Sequence, residues 1–209
     1  MTQYEVRETE KPTTGRWMRA SVLSAFLGGG LLIVGALAMF SVPNEAESDI
    51  VERIAALGML LLVLALPALY ASERGWFDRL ATVGFWSMAV GWTVAAVAAL
   101  VTAYTMPPVS ETAFVVLLVS LLIALIGAFV FGVAALRSDA ATVPRLGAWL
   151  LVAAIPVGLP LTIGFTLYVM GELAEPWAGP LLLYAVAWIV FGRYLWGRRA
   201  ETPATEVTA

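Results

Sequence analysis

The side chains with the means to do chemistry in this sequence fall into three groups. The first is acidic: Glu45, Glu47, Asp49 and Glu52, with Glu111, Glu172 and Glu175 further along. Carboxylate oxygens suit calcium or magnesium, and Glu172 and Glu175 stand at helical spacing. Plain solvation accounts for the same residues equally well. The second group lies in and just beyond the stretch IPVGLPLTIG: Pro156, Gly158, Pro160, Thr162 and Thr166. Each proline removes a backbone donor and crowds the carbonyl four residues back. Hydroxyls and freed carbonyls there offer a site for a neutral or lipid-like solute. The third group pairs Glu73-Arg74 with Asp78-Arg79 and reads as a solvated interfacial turn, its ion pairs contributing little.

Much chemistry is excluded by what the chain lacks. There is no histidine and no cysteine. That removes bis-histidine haem, histidine-bound zinc or copper, thiolate sites, HExxH proteolysis and serine–histidine dyads. The single lysine is Lys11, far from any apolar run, so a Schiff base inside a helical bundle is excluded. Aspartate occurs only at 49, 78 and 139, which leaves no intramembrane aspartyl pair. No glycine-rich phosphate loop with its lysine is present. The expectation is a non-catalytic protein without catalytic residues, cofactor, metal ligands or a nucleic-acid partner.

The elements that must position these groups are apolar runs. The chain has 209 residues, 61% hydrophobic and 13% charged, against roughly 25% charged in an ordinary soluble domain. Six runs carry no ionisable residue near their middles, at about 20–40, 54–70, 80–104, 113–136, 146–170 and 177–196. Each is long enough to cross a bilayer. The predicted fold class is all-α: a polytopic integral membrane protein with six transmembrane helices in one bundle. Residues 1–18 and 198–209 are polar and read as disordered cytoplasmic tails around a domain spanning 19–197. Ala36-Leu37-Ala38 would suit a signal-peptide cleavage site, but the first run is longer than the usual signal core and reads as a retained helix.

Arginine sets the threading. With the first segment in the cytoplasm, Arg7, Lys11, Arg16, Arg19, Arg74, Arg79, Arg137, Arg145, Arg193, Arg198 and Arg199 all lie inside, and only Arg53 lies outside. Both ends are therefore expected in the cytoplasm. Trp17, Trp76, Phe77, Trp177, Tyr194 and Trp196 sit where interfacial anchors belong. The Ala-, Val- and Leu-rich composition suits the cell membrane of a prokaryote.

In lipid, helices associate through small residues that let backbones approach. Stripes at a spacing of four run through Ser87, Gly91, Ala95 and Ala99, and through Ser120, Ala124, Ala128 and Gly132; Gly29 lies on a third with Ser21 and Ala25. These faces are expected to be helix contacts within the chain. Pro67 falls fourteen residues after Arg53, and Pro160 fifteen after Arg145. That faint echo raises a 3+3 inverted repeat, a recurrent transporter design with sites at broken helices. The acidic residues allow an extracytoplasmic cation- or stress-responsive module, and two other functions follow. One is an accessory or scaffold subunit, or a small homo-oligomer, whose partners are the lipid bilayer and other membrane subunits or itself. The other is a small carrier or channel for a neutral or lipid-like solute, with a broken fifth helix.

Overall fold

The computed structural model describes residues 13–39, 45–170 and 176–198. Among them there is helix and turn but no strand. The helices are α1 (Thr13–Ala38), α2 (Glu45–Glu73), α3 (Arg79–Tyr104), α4 (Val109–Arg137), α5 (Arg145–Ala153), α6 (Gly158–Phe165) and α7 (Ala178–Arg198). A 3₁₀ turn, Arg74–Trp76, follows α2, and a π-helical stretch, Thr166–Met170, follows α6. Most of both terminal tails, Glu172 and Glu175, and the side chains of Glu45, Glu47 and Asp49 lie outside the described residues.

Five helices are each long and apolar enough to cross a membrane, and α5 with α6 makes a further crossing if the bent pair counts as one span. At 26 residues, α3 is about 39 Å long, enough for a hydrocarbon core of about 30 Å. The distribution of exposure identifies the solvent. On α3, Val83, Trp86, Val90 and Val97 are each at least half exposed, while Gly84, Met88, Gly91 and Ala95 are buried. On α4, Val115, Val119, Leu122 and Ile126 face outward. Water would penalise such faces at roughly 25 cal/mol per Å², whereas lipid does not. The apolar helices are those of an integral membrane protein.

From α1 to α5 each helix packs on the next, α6 packs on α7, and α7 returns to pack on both α5 and α1, closing a ring. Glycine sets how closely neighbours approach. A Cβ on Gly91 would lie 2.6 Å from the backbone nitrogen of Ala124, and one on Gly84 would lie 2.5 Å from that of Phe131. A Cβ on Gly127 would fall on Met88. The α3–α4 seam is thus backbone against backbone, the closest packing a membrane interface can reach. Large side chains fill the ring's interior. Trp92 of α3 stacks on Tyr184 of α7 with centroids 4.4 Å apart, and Trp188 meets Phe191 edge-on at 5.9 Å. All four are buried.

The two spans with proline beyond the first turn differ. Pro67 sits inside an unbroken α2. The span holding Pro156 and Pro160 is split at residues 154–157 and bends by 55°. Pro156 removes the amide that would continue α5, and Val157 takes up a hydrogen bond from its N–H to the Ala153 carbonyl across the turn, at 2.9 Å.

Candidate functional site

Three places bring polar groups or free space together: the break between α5 and α6, the end of the bundle bearing Glu73, and the opposite end.

At the break, Thr162 is buried and already engaged on both sides. Its hydroxyl donates to the Gly158 carbonyl at 3.0 Å and accepts from the Gly179 N–H at 2.7 Å. Gly158 and Gly179 are pressed together; a Cβ on Gly158 would lie 2.6 Å from the Pro180 nitrogen. Thr166 is also buried and donates to the Ile163 carbonyl at 3.3 Å. Pro156 and Pro160 are exposed. This arrangement splints a broken helix to α7 and leaves the Thr162 hydroxyl no spare proton.

The small-residue stripes divide among three neighbours. Gly91 lies against Ala124 and Ser120, and Ser87 against Gly127. Ala95 and Ala128 are buried. Ser120 turns its hydroxyl back onto its own helix, to the carbonyls of Val116 and Leu117. Gly132 faces the Ala148 carbonyl and Val152 of α5, and Gly29 faces Ala185 and Ile189 of α7. Gly28, one residue earlier, meets Gly58 and Leu62 of α2.

The arginines Arg74, Arg79, Arg137, Arg145 and Arg198 mark one end of the bundle, and Glu73 lies there with none of its side chain exposed. Its sequence neighbours suggest half of a solvated turn. The structure corrects that. Asp78 is exposed and caps α3, accepting from the Ala81 N–H at 2.7 Å, but Glu73 is enclosed by donors from four residues. Trp76 Nε1 donates to Oε2 at 2.6 Å, folded back by the 3₁₀ turn. Thr142, in the α4–α5 connection, donates across the carboxylate at 2.9 and 3.0 Å. The Tyr194 hydroxyl donates to Oε1 at 2.7 Å, and Arg198 forms an ion pair with Oε1 at 3.1 Å.

A negative charge at a helix C-terminus opposes the helix dipole, and burial adds a desolvation penalty. Four contacts from neutral donors and one guanidinium offset both. Beneath the carboxylate, Trp76, Phe77, Phe85 and Phe131 pack ring on ring at 5.1–5.9 Å. Trp76 thus carries the hydrogen bond and covers the core at once. The cluster ties α2, the α4–α5 connection and α7 together. Its signal emerges only with the helix boundary: an acid in the last turn of α2 with no basic residue there, unfavourable to the helix dipole.

At the opposite end, a cavity of about 250 Å³ opens between α2, α3, α4 and α7. Ala55, Ala56 and Met59 of α2 and Ala99 of α3 line it, with Leu121 and Leu181. Glu52 and Thr102 are its polar lining residues. The Thr102 hydroxyl donates to the Ala98 carbonyl at 2.9 Å. Nearby, the Arg53 guanidinium lies over the Tyr104 ring at 5.3 Å. A shallower apolar groove of about 600 Å³ runs between α3 and α4 on the lipid-facing side, past Val97, Val101, Val109 and Val116.

Among the described residues no group of three His, Cys, Asp or Glu is placed to hold a metal ion. Compared with protein-family models, with curated proteins and with solved structures, the chain matches none.

Proposed function

We propose that this chain is a non-catalytic membrane protein, an accessory or scaffold subunit or a small homo-oligomer, working through apolar helix contacts. Its setting in this reading is the plasma membrane of a prokaryote, with six spans and both ends in the cytoplasm. The observation that carries it is how the polar groups are used. Thr162 and Glu73, both buried, are each saturated by contacts inside the chain, whereas the buried Tyr184 hydroxyl and the Trp92 and Trp188 indole N–H groups have no hydrogen-bond partner among the described residues. What faces outward is apolar, including the long face of α4 through Val115, Val119, Leu122 and Ile126. A protein that spends its polar groups on rigidity and presents an apolar exterior suits assembly in lipid.

Purification in a gentle detergent, followed by mass measurement of the intact particle, tests this. A particle heavier than one chain, containing a second membrane protein or several copies, is the expected result. A lone chain from both detergent and native membrane discs overturns it.

A further inference from the structure

The cavity at the Glu52 end has no part in the scaffold role, and its construction points to a ligand. Its walls grade from polar to apolar with depth. Along α2 the lining passes from Glu52 through Ala55 and Ala56 to Met59, along α3 from Thr102 to Ala99, and along α7 from Trp177 to Leu181. Seven residues of α2 correspond to about 10 Å of depth. Small alanine side chains on α2 and α3 leave this space, and leucine at 99 would enter it. Its volume of about 250 Å³ approaches the lower limit of small-molecule sites, roughly 300 Å³. Met39 and Met59 supply flexible walls that adapt to an unbranched chain. Below Leu181, the stacked Tyr184 and Trp92 fill the interior, so a ligand meets a floor.

Charge selects the head. The sequence around this end supplies Glu45, Glu47, Asp49, Glu52 and Glu111, and a single cation, Arg53. Arg53 is drawn onto the Tyr104 ring. An anionic head would enter a field of its own sign.

We propose that this cavity binds a single-chain amphiphile with a cationic or neutral head. The hydrocarbon lies against Met59, Leu121 and Leu181, and the head lies at the level of Glu52 and Thr102. This does not depend on the chain being an accessory subunit, and its test reads a different quantity from particle mass.

The test uses the full chain in phosphatidylcholine discs and decyl amphiphiles with a photoreactive diazirine at the chain end. Three heads are compared: trimethylammonium, glucoside and sulfate. Peptide mapping should place saturable labelling of the first two on the segments around Met59, Leu121 and Leu181. The sulfate should compete about tenfold less well than trimethylammonium, and 1 M salt should shrink that gap by screening. Glu52→Gln should narrow it too, and Ala99→Leu should abolish the labelling. Should Ala99→Leu fail to fold, competition in the unaltered protein decides: decyl compounds should displace the label and the butyl series should not. Labelling that does not saturate, falls on lipid-facing Val90 and Ile126, or ignores chain length overturns the proposal.

Discussion

Replacing Glu73 separates two accounts of the cluster at the arginine-bearing end. If enclosed hydrogen bonding holds α2, the α4–α5 connection and α7 together, the carboxylate matters more than its ion pair. Glu73→Ala removes the acceptor for Trp76, Thr142, Tyr194 and Arg198 together. Each bond to a charged group contributes about 1.5–3 kcal/mol, but the sum overstates the effect, because neighbours compensate. With the carboxylate gone, Tyr194 can turn its one proton to Thr142 Oγ1, 2.7 Å away, while still accepting from Arg198 at 2.7 Å. Glu73→Ala leaves no buried charge behind, only partly exposed donors, so its cost is that of about two such bonds, about 3–4 kcal/mol. The Arg198 side chain is 43% exposed, so it re-solvates, and its own share is about 1 kcal/mol or less.

The expected order of destabilisation is therefore Glu73→Ala, about 3–4 kcal/mol, above Glu73→Gln, about 1–2 kcal/mol, above Arg198→Ala at about 1 kcal/mol or less. Glutamine keeps one acceptor oxygen but turns an NH₂ toward a donor. Thermal melts in detergent, followed by tryptophan fluorescence, read this directly, since Trp76 sits in the cluster. At about 2–4 °C per kcal/mol for a chain of this size, Glu73→Ala should melt about 10 °C lower. An Arg198→Ala loss equal to that of Glu73→Ala would mean that the ion pair holds the cluster, and would refute the primacy of enclosed hydrogen bonding. A Glu73→Ala loss below about 1 kcal/mol would show the carboxylate to behave as a solvated surface charge.

Other outcomes are expected elsewhere. Gly28→Ala and Gly29→Ala should each loosen α1, because their methyls would press on Gly58 and Ala185. Gly30→Ala, with nothing within 4 Å, should be neutral or stabilising by up to about 1 kcal/mol; equal melting of the three variants would refute this. Gly91→Leu should separate α3 from α4 at a cost of at least about 1–3 kcal/mol, seen as loss of a disulfide trapped between cysteines introduced across that seam; undiminished trapping would count against it. Thr162→Val should leave the buried Gly179 N–H unpaired and cost about 1–3 kcal/mol, while Thr162→Ser should restore most of it. Identical melts for Val and Ser would show the hydroxyl to be idle. Cysteines placed at residues 17 and 196 should react with impermeant reagent only from the cytoplasmic side of oriented vesicles.

The helices were legible in the sequence because hydrocarbon imposes one simple demand: long segments without charge. Pro156 and Pro160 likewise announced a disturbed helix, though not the sense or size of a 55° bend. Side-chain pairing was harder to read, for geometric reasons. A stripe at a spacing of four drifts about 40° per step around a helix of 3.6 residues per turn. By Gly132 the α4 stripe has rotated away from α3 and faces α5. The tightest approaches on that seam, at Gly84 and Gly127, lie off the stripes altogether. Glu73 was obscured for another reason. Its neighbours in sequence are Arg74 and Asp78, but its charged partner is 125 residues away, and only the fold brings the two together. The cavity was invisible because alanines 55, 56 and 99 look like every other alanine in an Ala-rich chain; only the fold brings them to line one space.

The contact between the first helix and the last has a consequence for biogenesis. Gly29 lies on Ala185, and Gly192 on Ala25, so α1 enters the bilayer with one flank bare and keeps it bare while every intervening segment is synthesised. Until α7 emerges, that flank is open to lipid, to a chaperone or to another nascent helix. A gene rearranged so that α7 is translated immediately before α1 would join these two helices at once and move the late step to a different seam.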